Sequence, residues 1–124
     1  MLKGLHRPGA DFKVVTLKKM PIQRHVPGMC VHKNHYVVVC GGTVNESNIK
    51  RVDYINVRTN TWGRLPDMNL GRYMPQIISI KDKLFVFFGY SGGKLGGTKV
   101  ENSIEILGTN DSGEAKWNRV EFSA

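Results

Sequence analysis

The sequence predicts an all-β fold made of short strands. Three observations carry this. No segment places apolar side chains at i, i+3, i+4 and i+7 over the length a helix needs. Short β-branched and aromatic runs alternate with turn signals at intervals of about ten residues, the spacing of a sandwich, barrel or propeller. Glycine is abundant, 14 of 124 residues without a collagen period, so the chain turns often.

The expected strands follow in order. Phe12–Leu17 is the first run and Met29–His32 a weaker second. Tyr36–Cys40 is strong and stops at Gly41-Gly42. Val52–Val57 comes next, then Thr61–Leu65, which Pro66 ends because proline has no N–H for a ladder. Ile77–Ile80 and Leu84–Phe88 are separated by the turn-like Lys81-Asp82-Lys83. Ser103–Leu107 and Lys116–Phe122 complete the set.

Composition excludes several classes. With 40% apolar and 23% charged residues the chain supports a packed core, not a disordered tail. Two cysteines are too few for a disulfide scaffold. No apolar run has the length of a membrane helix, and no membrane association is expected. The net charge of +8 is a sum of +11 over residues 1–100 and −3 over residues 101–124, so the C-terminal segment is acidic. A basic surface admits a polyanionic partner. The aromatic residues, however, fall at core positions and not between basic ones as a stacking platform, so nucleic acid is not the expected partner. The basic, acid-poor start has the flavour of a transit peptide, but Pro8-Gly9 interrupts it and it reads as a solvated basic segment over residues 1–11. The expected location is cytoplasmic, with nuclear and organellar alternatives open.

The chain also repeats itself. Slid forward by 48 residues, Leu17, Met20, Arg24, Pro27 and Lys33 fall on Leu65, Met68, Arg72, Pro75 and Lys81. These are five identities in 21 positions, where residue frequencies give roughly one. One residue less, and Val37-Val38-Val39-Cys40-Gly41-Gly42 falls on Leu84-Phe85-Val86-Phe87-Phe88-Gly89. Val52-Asp53-Tyr54-Ile55 matches Ile104-Glu105-Ile106-Leu107, and Trp62-Gly63-Arg64-Leu65 matches Trp117-Asn118-Arg119-Val120. A period near 48 with four strands per copy is the mark of propeller blades.

These residues resemble the kelch repeat: an apolar strand ending in Gly41-Gly42, then Trp62 about twenty residues on, with Asn56–Pro66 similar to the family's turn into its last strand. The resemblance implies a kelch-type β-propeller segment of about two four-stranded antiparallel blades plus an extra N-terminal strand. Residues 12–23 are then the outer strand of a preceding or neighbouring blade, 24–71 one blade, and 72–124 a second blade with longer loops. There are departures. Phe88 stands where the first glycine belongs, which implies a shifted or bulged strand end. Ile55 and Leu107 replace the usual aromatic. A ring needs about four to eight blades, so two leave faces open that other blades, from the same or another chain, should cover.

Cys30, His32, His35 and Cys40 cluster in the sequence, but their spacing matches no zinc pattern. Cys30 and Cys40 align with Ile78 and Phe87, and both read as buried free thiols. The run Gly89–Lys99 is glycine-rich, but Leu95 replaces the required Ser or Thr and no helix follows, so it reads as a loop. No nucleophile has a visible His and acid pair, no cofactor is expected, and the chain is read as a non-enzyme. A copper-oxidase site of the kind some kelch-like propellers carry cannot be assembled.

The resemblance then implies a protein-protein interaction module or scaffold. The alternatives are a structural subunit in a large assembly and a substrate receptor of a ubiquitin ligase. The partner is expected at the blade loops: Asn45, Glu46, Asn48, Lys50 and Arg51 in one, and Tyr90, Ser91, Lys94 and Lys99 in the other. Arg24, His25, Arg72 and Tyr73, where the chain leads into each blade, are expected to line the same mouth.

Overall fold

A computed structural model describes residues 14–92 and 99–121. Twelve strands are formed among them: β1 (Gly28–His32), β2 (Tyr36–Cys40), β3 (Thr43–Val44), β4 (Ser47–Asn48), β5 (Val52–Asn56), β6 (Thr61–Leu65), β7 (Gln76–Ile80), β8 (Lys83–Phe87), β9 (Tyr90–Ser91), β10 (Lys99–Val100), β11 (Ser103–Thr109) and β12 (Ala115–Glu121). They form two four-stranded antiparallel sheets, β1-β2-β5-β6 and β7-β8-β11-β12, each with a two-stranded hairpin, β3-β4 or β9-β10, between its second and third strands. The two sheets are the two expected blades. Their first strands, β1 and β7, lie side by side.

The strand periodicity decides the packing. Side chains at alternate positions point to opposite faces, and residues in register share a face. Cys30, Val38, Cys40, Val52, Tyr54 and Leu65 face the second blade. Ile77, Leu84, Val86, Leu107 and Trp117 meet them from the other side, and Met68 of the connecting segment completes the cluster. The core is therefore the interface between blades, so neither blade has a core of its own.

The segment leading into each blade is tied down twice in the same way. The Trp117 indole donates to Pro66 O at 2.7 Å, and the Trp62 indole donates to Lys18 O at 2.9 Å. Pro66 and Lys18 are 48 residues apart, so the repeat read from side chains is also a repeat of bonds. The two tryptophans differ in environment: Trp117 is buried among the core residues, whereas Trp62 is half-buried.

Several expectations are corrected. The N-terminal strand does not form over the described part of Phe12–Leu17; residues 14–17 are exposed and unpaired. A strand persists only in a ladder, and among the described residues no ladder partner is paired with this segment. The basic segment 1–11, together with Phe12 and Lys13, lies outside the described residues. Val57 falls just beyond β5 and is exposed. Phe88 produces no bulge. β8 ends at Phe87 as β2 ends at Cys40, and Phe88 takes the left-handed backbone of its counterpart, φ 59° against 65° at Gly41. Cys30 is half-buried, while Cys40 is fully buried.

Two faces remain open, as the blade count implies. Behind the first blade, Met29 and Val31 are 64% and 63% exposed. Beyond the second, Ile78, Ile80 and Val120 are exposed on the face that also carries half-buried Phe85, Phe87, Ile104 and Ile106.

Candidate functional site

Arg24 and Arg72, expected at a binding mouth, are frame residues instead. The Arg72 side chain is wholly buried and donates to Phe88 O (3.0 Å), Ser103 O (2.8 Å), Ser103 Oγ (2.8 Å) and Glu105 Oε2 (3.1 Å). Glu105 Oε1 also accepts from the backbone and side-chain amides of Asn69. In the first blade the buried Arg24 guanidinium pairs with Asp53 and donates to Arg51 O at 3.2 Å. Arg51 reaches the same Asp53 carboxylate at 3.1 Å. A charge removed from water needs several partners, and a guanidinium fork can donate to several at once; of the Arg72 nitrogens only Nε is left without an acceptor among the described residues. Each arginine thus clamps the segment leading into a blade onto that blade's third strand.

The clamp sits beside the glycines. Gly42 N–H donates to Arg72 O at 2.7 Å, and a Cβ at Gly41 would lie 2.4 Å from that same oxygen. Only a residue without a side chain lets the second blade's lead-in pass here.

At this end of the blades the hairpins project. Backbone bridges hold His25 to Thr43 and Tyr73 to Tyr90 in equivalent places. The rings of Tyr73 and Tyr90 stack with centroids 5.2 Å apart. Asn48 Nδ2 donates across the gap between blades to Gly92 O at 3.1 Å. Around this bond lies an open groove of about 380 Å³, lined by Asn45, Glu46, Ser47, Asn48, Leu70, Gly71, Ser91 and Gly92. The structure therefore brings together four of the expected partner-binding residues: Asn45, Glu46, Asn48 and Ser91.

The others are placed differently. Ser91 itself is mostly buried and donates from Oγ to Glu101 Oε2 at 3.1 Å. Burial pushes the Glu101 carboxyl up, but hydrogen bonds from Ser103 and Ser91 and the charges of Arg119 and Arg72 outweigh it and hold the group below the usual carboxylate range. His25, Lys50 and Lys99 are exposed, and Arg51 is held by Asp53. Lys94 lies outside the described residues. Ser47, Leu70 and Gly71 have no local signal in the sequence: the β3-β4 hairpin places Ser47 here, and the packing of the two blades carries Leu70 and Gly71 of the connecting segment to the groove.

The histidines and cysteines do not converge on a metal. His32 Nδ1 lies 2.6 Å from Ser79 Oγ, and His35 Nδ1 lies 2.7 Å from Lys33 O, both at the end opposite the groove. Burial, then Lys33, lowers the pKa of His32. Cys40 is pushed up to about 12, mainly by burial, and burial also raises Cys30. Among the described residues no group of three or more His, Cys, Asp or Glu side chains is placed to hold a metal ion.

Comparison with known proteins agrees with this frame. Residues 28–69 match the family model of the Kelch motif, from the start of β1 through the connecting segment. Two relatives in Arabidopsis thaliana carry the name F-box/kelch-repeat protein. One is 29% identical over 85 residues, covering 68% of this chain and 19% of the relative. The other is 33% identical over 76 residues, covering 61% of this chain and 21% of the relative. The chain thus spans about a fifth of the length of the curated relatives it matches. The motif is matched over the first blade, and its strands, its clamp arginine and its indole bond recur in the second, so both blades are similar to kelch repeats.

Proposed function

We propose that the chain is a protein-interaction module that holds its partner at the groove between the β3-β4 and β9-β10 hairpins. One observation carries this reading. Rigid, doubly clamped blades present exposed polar side chains, Asn45 and Glu46 foremost, around an open groove that crosses from one blade to the next. A stiff sheet that displays polar loops suits recognition of another protein's surface, since little ordering remains to be done on binding. The kelch family supports an interaction domain over an enzyme. The basic neighbours Lys50 and Lys99 favour a partner with an acidic patch, by charge complementarity.

Proximity labelling tests this. Partners captured by the parent should be lost with Asn45→Ala/Glu46→Lys, and kept with Lys33→Ala/Asp82→Ala at the opposite end. Equal capture by both variants overturns the groove as the site.

A finer reading, a substrate receptor of a ubiquitin ligase, is favoured by the name shared by the two relatives. A partner captured at the groove should then accumulate when the protein is removed. Unchanged turnover of every such partner would exclude it.

A further inference from the structure

We propose that copies of this chain join head to tail, the open face of the second blade in one copy seating on the rear of the first blade in the next. The contact between the two blades supplies the template. Its near side is the front of the first blade, and the repeat-equivalent surface is the open face of the second. Its far side is the facing surface of the second blade, and the equivalent surface is the exposed rear of the first. Each copy therefore carries both halves of a contact it has already made once.

The side chains agree pair by pair. Within the chain, His32 meets Ser79 through a 2.6 Å polar contact. Forty-eight residues on, His32 becomes Ile80, and 48 residues back, Ser79 becomes Val31. Both partners change together from polar to apolar, and both are exposed in a single copy, at 49% and 63%. Cys30 and Ile77 pack in the core, and their equivalents Ile78 and Met29 are likewise exposed and apolar. An apolar pair left in water on two different faces is what a contact between copies would bury.

The lead-in of the first blade is already in place: Arg24 is clamped by Asp53, and Lys18 O accepts the Trp62 indole N–H. Residues 14–17 form no ladder, so they can give way to β12 of the neighbouring copy. With about four to eight blades in a ring, two to four copies close it. One position fits poorly. Gly41 leaves room for Arg72 O, but its equivalent, Phe88, presents a Cβ where Arg24 O of the next copy would pass. The contact between copies is therefore looser than the one within the chain.

Sedimentation of the purified protein over a range of concentrations tests this with two charge variants, Ile80→Glu on the open face and Val31→Glu on the rear. The parent should form a discrete oligomer. Each variant alone should remain a monomer. An equimolar mixture should give a heterodimer, because each variant still offers one unaltered face. Phe88→Gly should associate at about tenfold lower concentration, the change expected from relieving one close contact. Met29→Glu and Ile78→Glu form a second such pair if either first variant melts below the parent. A parent that stays monomeric overturns the proposal, whether another protein or further blades of a longer chain cover the face. So does association blocked by Ile80→Glu but not by Val31→Glu, which would mean like faces pairing, and so does aggregation that neither variant changes.

Discussion

Removal of the Glu105 carboxylate tests the clamp directly. Glu105→Ala leaves the Arg72 guanidinium wholly buried with its carbonyl and hydroxyl acceptors but without its counter-charge. It also takes away the acceptor of two Asn69 donors, one of them backbone. Breaking one side of a buried ion pair costs about 3–5 kcal/mol, and the loss at Asn69 places this variant at the upper end. In a domain of this size that is a fall in Tm of roughly 10–20 °C. Urea unfolding should show a lower midpoint at an unchanged slope. Arg72→Met/Glu105→Leu should recover most of the loss, because no charge is then left without water or partner. Asp53→Ala should behave like Glu105→Ala, since Asp53 answers both Arg24 and Arg51. A Glu105→Ala protein within about 1 kcal/mol of the parent, or a double variant as unstable as the single, would refute the argument that the pair's value lies in mutual neutralisation.

Other outcomes follow from the same geometry. Trp117→Ala should cost about 3–5 kcal/mol and Trp62→Ala clearly less, because only the first indole is fully buried; equal midpoint shifts in urea would contradict this. Gly41→Ala, whose Cβ would meet Arg72 O at 2.4 Å with φ at 65°, should destabilise more than Gly63→Ala, whose Cβ meets only the Tyr54 ring, and thermal melts decide it. Under native conditions a thiol reagent should label half-buried Cys30 well before Cys40. The Cys40 thiol ionises at about 9 when unfolded and about 12 when folded, so the unfolded chain loses its proton first. Stability is then complete below pH 9 and falls above it, by up to about 1.4 kcal/mol per pH unit. Cys40→Ala should flatten that dependence in urea titrations at pH 8–11.

Much of this molecule is legible in the sequence. Strand runs, glycine pairs and a period near 48 depend on local pattern, and eight of the nine expected strands form within a residue or two of their expected limits. The clamps were half visible: Arg24 and Arg72 repeat, and so do Asp53 and Glu105, but nothing local joins positions 29 and 33 residues apart. Read singly, an arginine near a loop looks like a surface group. Only the stacking of a lead-in segment against a third strand encloses it with an acid and turns it inward. Cys30 and Ile78 make the same point. The repeat makes them equivalent, but one is half-buried and the other exposed, because blade two stands in front of Cys30 and no described residue stands in front of Ile78. The sequence by itself determines which residues belong to the same place in a blade. The tertiary structure alone decides which of those places are covered, because burial here is supplied by the neighbouring blade and not by the blade that carries the residue.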